Sequence, residues 1–142
     1  RLTVVLASLP FAFGATAAAA CTVDTSPVAF GIVDVTRSTE SNGEIAVSCS
    51  IPTNVEVGLT SGSGPGQRAM IGSGGARLSY ELFTDATREA AWGDGSGNGA
   101  TVNANDVGED VVRLPIYGEV PRQDPVPPGA YSDSLTVVVT FF

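Results

Sequence analysis

The stretch from Tyr131 to Phe142 constrains the fold more than any other. Leu135, Val137, Val139 and Phe141 alternate with Thr136, Val138, Thr140 and Phe142, and a period of two specifies a strand with two distinct faces. β-branched and aromatic residues on both faces suit an interior strand, flanked on each side, better than a solvated edge. The expectation is that another polypeptide supplies a neighbour for this strand, and that the chain is an assembling subunit. Alternation alone does not choose the inner face. Leu135, Val137, Val139 and Phe141 are the first candidates, and Val138, Thr140 and Phe142 the second.

With 142 residues the chain is long enough for one two-sheet core and too short for two independent ones. It carries 15 acidic residues against 7 basic ones, for a net charge of -8. Such a chain is repelled by phosphate backbones, which argues against nucleic acid as a partner. All the basic residues are Arg. With neither His nor Lys in the sequence, the commonest general base and the Schiff-base amine are missing. The adjacent acids Glu109 and Asp110 have glycoside cleavage as their sharpest reading and a solvated loop as the plainer one. No enzyme activity, cofactor or metal is expected.

Arg1, the apolar run Leu2 to Phe13 and the small residues Ala15 to Ala20 have the layout of a secretory signal. Cleavage after Ala20 fits that layout, leaving 21–142 as the domain. The run falls well short of the ~20 residues a membrane helix needs, so no transmembrane anchor is expected. The same residues also read as a strand of the fold, since Leu2, Val4 and Leu6 alternate with Thr3, Val5 and Ala7. Export makes a disulfide between Cys21 and Cys49 the expectation. A lipid-attachment reading of Cys21 suffers from Ala18, where a large aliphatic belongs, and would leave Cys49 unpaired.

Along the chain, Val23 to Phe30 contains Pro27, which cannot donate to a ladder and implies an edge or kinked strand. Glu44 to Ser50, Asn54 to Thr60, Arg77 to Phe83 and Val111 to Tyr117 read as further strands, the last despite Pro115. Gly- and Ser-rich loops separate them, around Pro65, where Arg68 to Ile71 is a candidate short strand, and from Trp92 to Gly99. Prolines 121, 125, 127 and 128 stiffen the connector to the final strand. No segment of helical length has a 3.6-residue period. Short strands divided by Gly and Pro turns point to an all-β, immunoglobulin-like sandwich.

Several fragments carry a resemblance in a shared order. They are Cys21-Thr22-Val23, Val28-Ala29-Phe30-Gly31, Val47-Ser48-Cys49, Arg68-Ala69-Met70, Leu78-Ser79-Tyr80, Trp92-Gly93-Asp94-Gly95, Tyr117-Gly118-Glu119-Val120-Pro121 and Gly129-Ala130-Tyr131-Ser132-Asp133. Together they resemble the spore coat protein U domain, the unit of archaic chaperone-usher pilins of the Csu type. The resemblance implies a sandwich lacking its seventh strand, filled first by a periplasmic chaperone and later by the N-terminal extension of the next subunit. It also implies an outer-membrane usher, neighbouring pilin subunits as partners, a cell-surface pilus as location, and roles in adhesion and biofilm formation. Strand addition of this kind draws affinity from main-chain hydrogen bonds and register from alternate apolar side chains. The groove lining and chaperone contact would be Leu135, Val137, Val139 and Phe141. Polymerising members carry an apolar donor segment before the first cysteine. Cleavage after Ala20 would leave none, which would restrict this subunit to a terminal position.

Asp94, Ser96 and Asn98 fall at alternate positions like the start of a Ca²⁺ loop. Asn105 stands where that loop needs a bidentate Glu, so a tight turn is expected instead. Trp92 is expected in the core, an exposed binding aromatic being its rival. A second class of function is a monomeric secreted binding module, lectin-like, using the long loops on a rigid sandwich. Self-association separates the two classes.

Overall fold

The computed structural model describes residues 2–8, 20–61 and 67–142, so part of the expected signal and the centre of the Pro65 loop lie outside the described residues. Its strands, in order, are β1 (Leu2–Ser8), β2 (Cys21–Ser26), β3 (Val28–Gly31), β4 (Thr39–Cys49), β5 (Thr53–Leu59), β6 (Ala69–Ile71), β7 (Arg77–Ser79), β8 (Glu81–Phe83), β9 (Val102–Val107), β10 (Val112–Val120) and β11 (Tyr131–Phe141). They form two sheets. One runs β3-β1-β11-β5-β9, with β6 joined to β11 and β7, and the other runs β2-β4-β10-β8.

Pro27 separates β2, which belongs to the second sheet, from β3, which belongs to the first. A residue without an N–H suits a point where the chain leaves one ladder for another. Gly43 and Gly118, on the paired strands β4 and β10 and opposite Ile116 and Ser41 respectively, clear the space for this crossing. A Cβ on Gly43 would come 2.7 Å from Val28 Cγ2, and one on Gly118 would come 2.9 Å from both Phe30 Cζ and Val28 Cγ1. The stretch Arg77 to Phe83 crosses in the same way. Tyr80 lies between β7 and β8, which belong to opposite sheets, while Leu78, Tyr80 and Leu82 all stay buried.

The core lies between the sheets, where Val28, Ile45, Val57, Leu82 and Ile116 have no exposed surface. Cys21 and Cys49 are cross-strand partners on β2 and β4 and are disulfide-bonded. Pro115 is paired with Glu44 on β4, beyond the reach of β8, which covers only Tyr117 to Glu119. On that side its missing N–H breaks no ladder between described strands. The candidate strand after Arg68 forms as β6. The strand β9 has no counterpart in the sequence reading, because Asn103, Asn105 and Asp106 hide its alternation. No helix among the described residues is long and apolar enough to cross a membrane.

Candidate strand-acceptor groove

The inner face of β11 is the one carrying Leu135 and Val137. Leu135, Val137 and Val139 are buried, Phe141 is half-buried, and Val138 and Phe142 are 40% and 74% exposed. On one side β11 pairs antiparallel with β5, from Val137 opposite Leu59 to Phe141 opposite Val55, and touches β6 at Ser132. On its other side lies β1. It runs parallel to β11 from Leu2 opposite Tyr131 to Ser8 opposite Val137, and antiparallel to β3 through Leu2, Thr3 and Val4.

The neighbour that the apolar last strand requires is therefore present within the same chain, in the stretch read from sequence chiefly as a secretory signal. The alternative reading of Leu2 to Ala7 as a strand describes its backbone. A run of aliphatic and β-branched residues such as Leu2 to Ala7 satisfies a signal's apolar run and a strand's propensity alike, so composition cannot separate them. Apart from β1, no described strand pairs with β3, so the space between β3 and β11 is a groove one strand wide.

The groove's base holds a polar device that the sequence motifs do not announce. The Tyr80 hydroxyl donates to Asp133 Oδ2, and both residues are buried. Burial, then the hydrogen bond and the negative charge of Asp133, push the Tyr80 phenol well above its ordinary range. Arg68, 1% exposed, lies nearby. Its guanidinium donates to the carbonyls of Thr60 at 2.6 Å, Leu59 at 3.1 Å and Trp92 at 2.8 Å. Its Nε lies 3.3 Å from Glu81 Oε1, near enough for an ion pair yet out of line for a hydrogen bond. Arg68 thus binds the end of β5 to the Trp92 turn. Trp92 is buried and donates from Nε1 to the Val57 carbonyl at 3.0 Å, so it is a core residue and not an exposed binding aromatic.

The fragments Arg68-Ala69-Met70, Leu78-Ser79-Tyr80, Trp92-Gly93 and Tyr131-Ser132-Asp133 therefore converge on one buried network. The missed signal was the coincidence of single polar residues with otherwise apolar motifs, since a polar side chain is retained in a core only when partnered.

The other candidates are resolved by their contacts. Asp94 Oδ1 accepts from the Ser96 N–H at 2.9 Å and from its hydroxyl, while Asn98 Oδ1 accepts from the Asp94 N–H at 2.9 Å. The hydroxyl first, then the N–H, hold the Asp94 carboxyl below the usual range. These oxygens serve the turn itself. Glu109 and Asp110 are exposed between β9 and β10. At the β3 end of the groove, past Gly31, a cleft of about 450 Å³ is lined by Ile32, Val35, Leu78, Val126, Pro127 and Tyr131.

Comparison with known proteins places this geometry. The model of the Spore Coat Protein U domain matches residues 7–138. Protein U of Myxococcus xanthus is 32% identical over 108 residues, covering 70% of this chain and 59% of that protein; the chain thus spans about three-fifths of its relative's length. Among solved structures, a chaperone-tip adhesion subunit pre-assembly complex, CsuC-CsuE, from the archaic chaperone-usher Csu pili of Acinetobacter baumannii superimposes with a TM-score of 0.62. It shares 22% identity and covers 85% of this chain and 39% of that one, a likeness of fold. The match across nearly the whole chain places it in the Spore Coat Protein U domain family.

Proposed function

We propose that this chain is a secreted structural subunit of a surface pilus or fibre, assembled by the chaperone-usher route through strand complementation of the groove between β3 and β11. The observation that carries this reading is the seating of a single strand, parallel to β11, between two strands that do not pair with each other. In a self-contained sandwich, neighbouring strands are usually joined by short connections. Here the filling strand belongs to a remote segment, and the place it fills has backbone donors and acceptors on both walls. Leu135, Val137, Val139 and Phe141 would line the groove and meet a periplasmic chaperone first and a neighbouring subunit afterwards. Residues 1–20 would direct export, with an outer-membrane usher passing the subunit to the surface, where the fibre would serve adhesion and biofilm formation.

The test is co-expression in a bacterial periplasm with a chaperone of an archaic chaperone-usher system, followed by affinity capture of the chaperone and size-exclusion chromatography. A one-to-one complex that Val137→Asp abolishes and Val138→Asp leaves intact is expected. A chain that elutes alone as a monomer with every such chaperone, and forms no fibre, overturns the proposal.

A further inference from the structure

Resting on that reading, we propose that Leu2–Ser8 is a removable placeholder strand. While joined to the domain it occupies the acceptor groove in cis, and severing the chain ahead of Cys21 hands the groove to a strand of another polypeptide.

The register is the first support. Leu2, Val4 and Leu6 pair with Tyr131, Asp133 and Leu135, which are buried, whereas Thr3 and Val5 pair with Ser132 and Ser134, which are exposed. The segment is thus set with its alternation in phase with that of β11, as a complementing strand must be.

The second support is that the ladder is a parallel one. Among the described residues β1 pairs with β11 from Leu2 to Ser8, the latter opposite Val137, and β11 itself runs to Phe141. Parallel ladders are somewhat weaker per residue than antiparallel ones. An antiparallel strand following β11 along its length would make a stronger ladder, residue for residue, than the parallel one β1 makes. The placeholder is therefore replaceable once it loses the advantage of being tethered. That advantage is an effective concentration on the order of millimolar for two segments joined by a short stretch of chain.

The third support is how the domain begins. The Ala20 N–H donates to Ser50 Oγ at 3.1 Å, and the Ala20 carbonyl accepts from the Ser50 N–H at 2.9 Å. Cys21 is bonded to Cys49. Severing the chain just ahead of this anchor removes the tether without loosening β2. Ala20 is itself exposed.

The experiment uses the full chain with residues 1–20 retained, the disulfide formed, and a recognition site for a sequence-specific protease inserted between Ala18 and Ala19. The probe is a fluorescein-labelled synthetic peptide with the sequence of Leu2 to Ser8 and a polar tag, at about 10 µM, with uptake read by anisotropy. Against a millimolar tethered strand, uptake by the uncut chain should be roughly 100-fold lower than by the cut chain. Val4→Asp, which sets a carboxylate beside Asp133 in the register, should let the uncut chain take up the probe. Val5→Asp, opposite exposed Ser134, should not. Equal uptake before and after cutting, or none after cutting, overturns the placeholder role. If Val4→Asp takes up peptide while cutting changes nothing, the groove still accepts strands and only the placeholder role is wrong.

Discussion

Replacing Val137 by Asp tests which face of β11 builds the groove. Val137 has no exposed surface and lies opposite Leu59 on one side and Ser8 on the other. Removing its side chain from the core forfeits about 1.5–3 kcal/mol of apolar burial. The carboxylate must then be buried without a cation, since Arg68 is already committed to backbone carbonyls and Glu81, which costs several kcal/mol more even if the acid is taken up protonated. Together these reach ~5 kcal/mol, comparable to the whole stability of a domain this size. Val138, one residue on, is 40% exposed on the opposite face, opposite Gly58. Asp there should cost about 1 kcal/mol, mostly lost strand propensity. Urea unfolding followed by circular dichroism measures both. The expected result is a large fall in midpoint for Val137→Asp and a small one for Val138→Asp. Equal losses, or the reverse order, would refute the placement of the inner face.

Gly118→Val should destabilise by at least ~1–3 kcal/mol through overpacking, because any Cβ there meets Phe30, Val28 and the Ser41 carbonyl, and thermal unfolding will show it. Arg68→Met should cost ~3–5 kcal/mol by orphaning the carbonyls of Leu59, Thr60 and Trp92, with the Trp92 fluorescence shifting toward its solvated value; an unchanged melting temperature would contradict this. In alkaline titration, Tyr80 should ionise only as the protein unfolds. Its folded value lies above its unfolded value near 10, so its contribution is intact below about pH 10 and lost above it, an effect Tyr80→Phe should remove.

Alternation made most of the sandwich legible, because Ile45, Val47, Val55 and Val57 obey it on strands with one face buried. It failed where the period is interrupted. In β9, Val102, Ala104 and Val107 pack on the core, but Asn105 and Asp106 are exposed in succession, Asp106 at a φ of 54°, where the ladder to β5 shifts register. The split of Arg77 to Phe83 was invisible for the opposite reason, since Leu78, Tyr80 and Leu82 stay inward while the backbone changes sheets. The apolar character of β11 correctly demanded a neighbour, but a demand for hydrogen-bond partners does not say which segment meets it. Only the register between Leu6 and Leu135 does that. The Arg68 and Tyr80–Asp133 contacts join residues 24 and 53 positions apart, beyond the reach of any local pattern.

The disulfide offers a last test, because it bears unequally on the two walls of the groove. β11 is anchored by β5 and β6 whatever happens to β1. β3 pairs with β1 alone among the described strands and otherwise continues from β2 across Pro27. Since Cys21 on β2 is bonded to Cys49 on β4, over a separation of 28 residues, the bond secures the root of the weaker wall. Its loss should cost about 3–4 kcal/mol in the chain-entropy model. That loss should also be felt locally, because β3 shares a ladder only with β1 among the described strands and is otherwise held by the packing of Val28 and Phe30. The Cys21→Ser, Cys49→Ser double variant, followed by hydrogen exchange under native conditions, separates the global effect from the local one. Amides of Val28 to Gly31 should lose more protection than those of Val137 to Val139. A uniform loss across both strands would mean that the disulfide stabilises the sandwich as a whole and that the groove's far wall is held by its packing against Gly43 and Gly118.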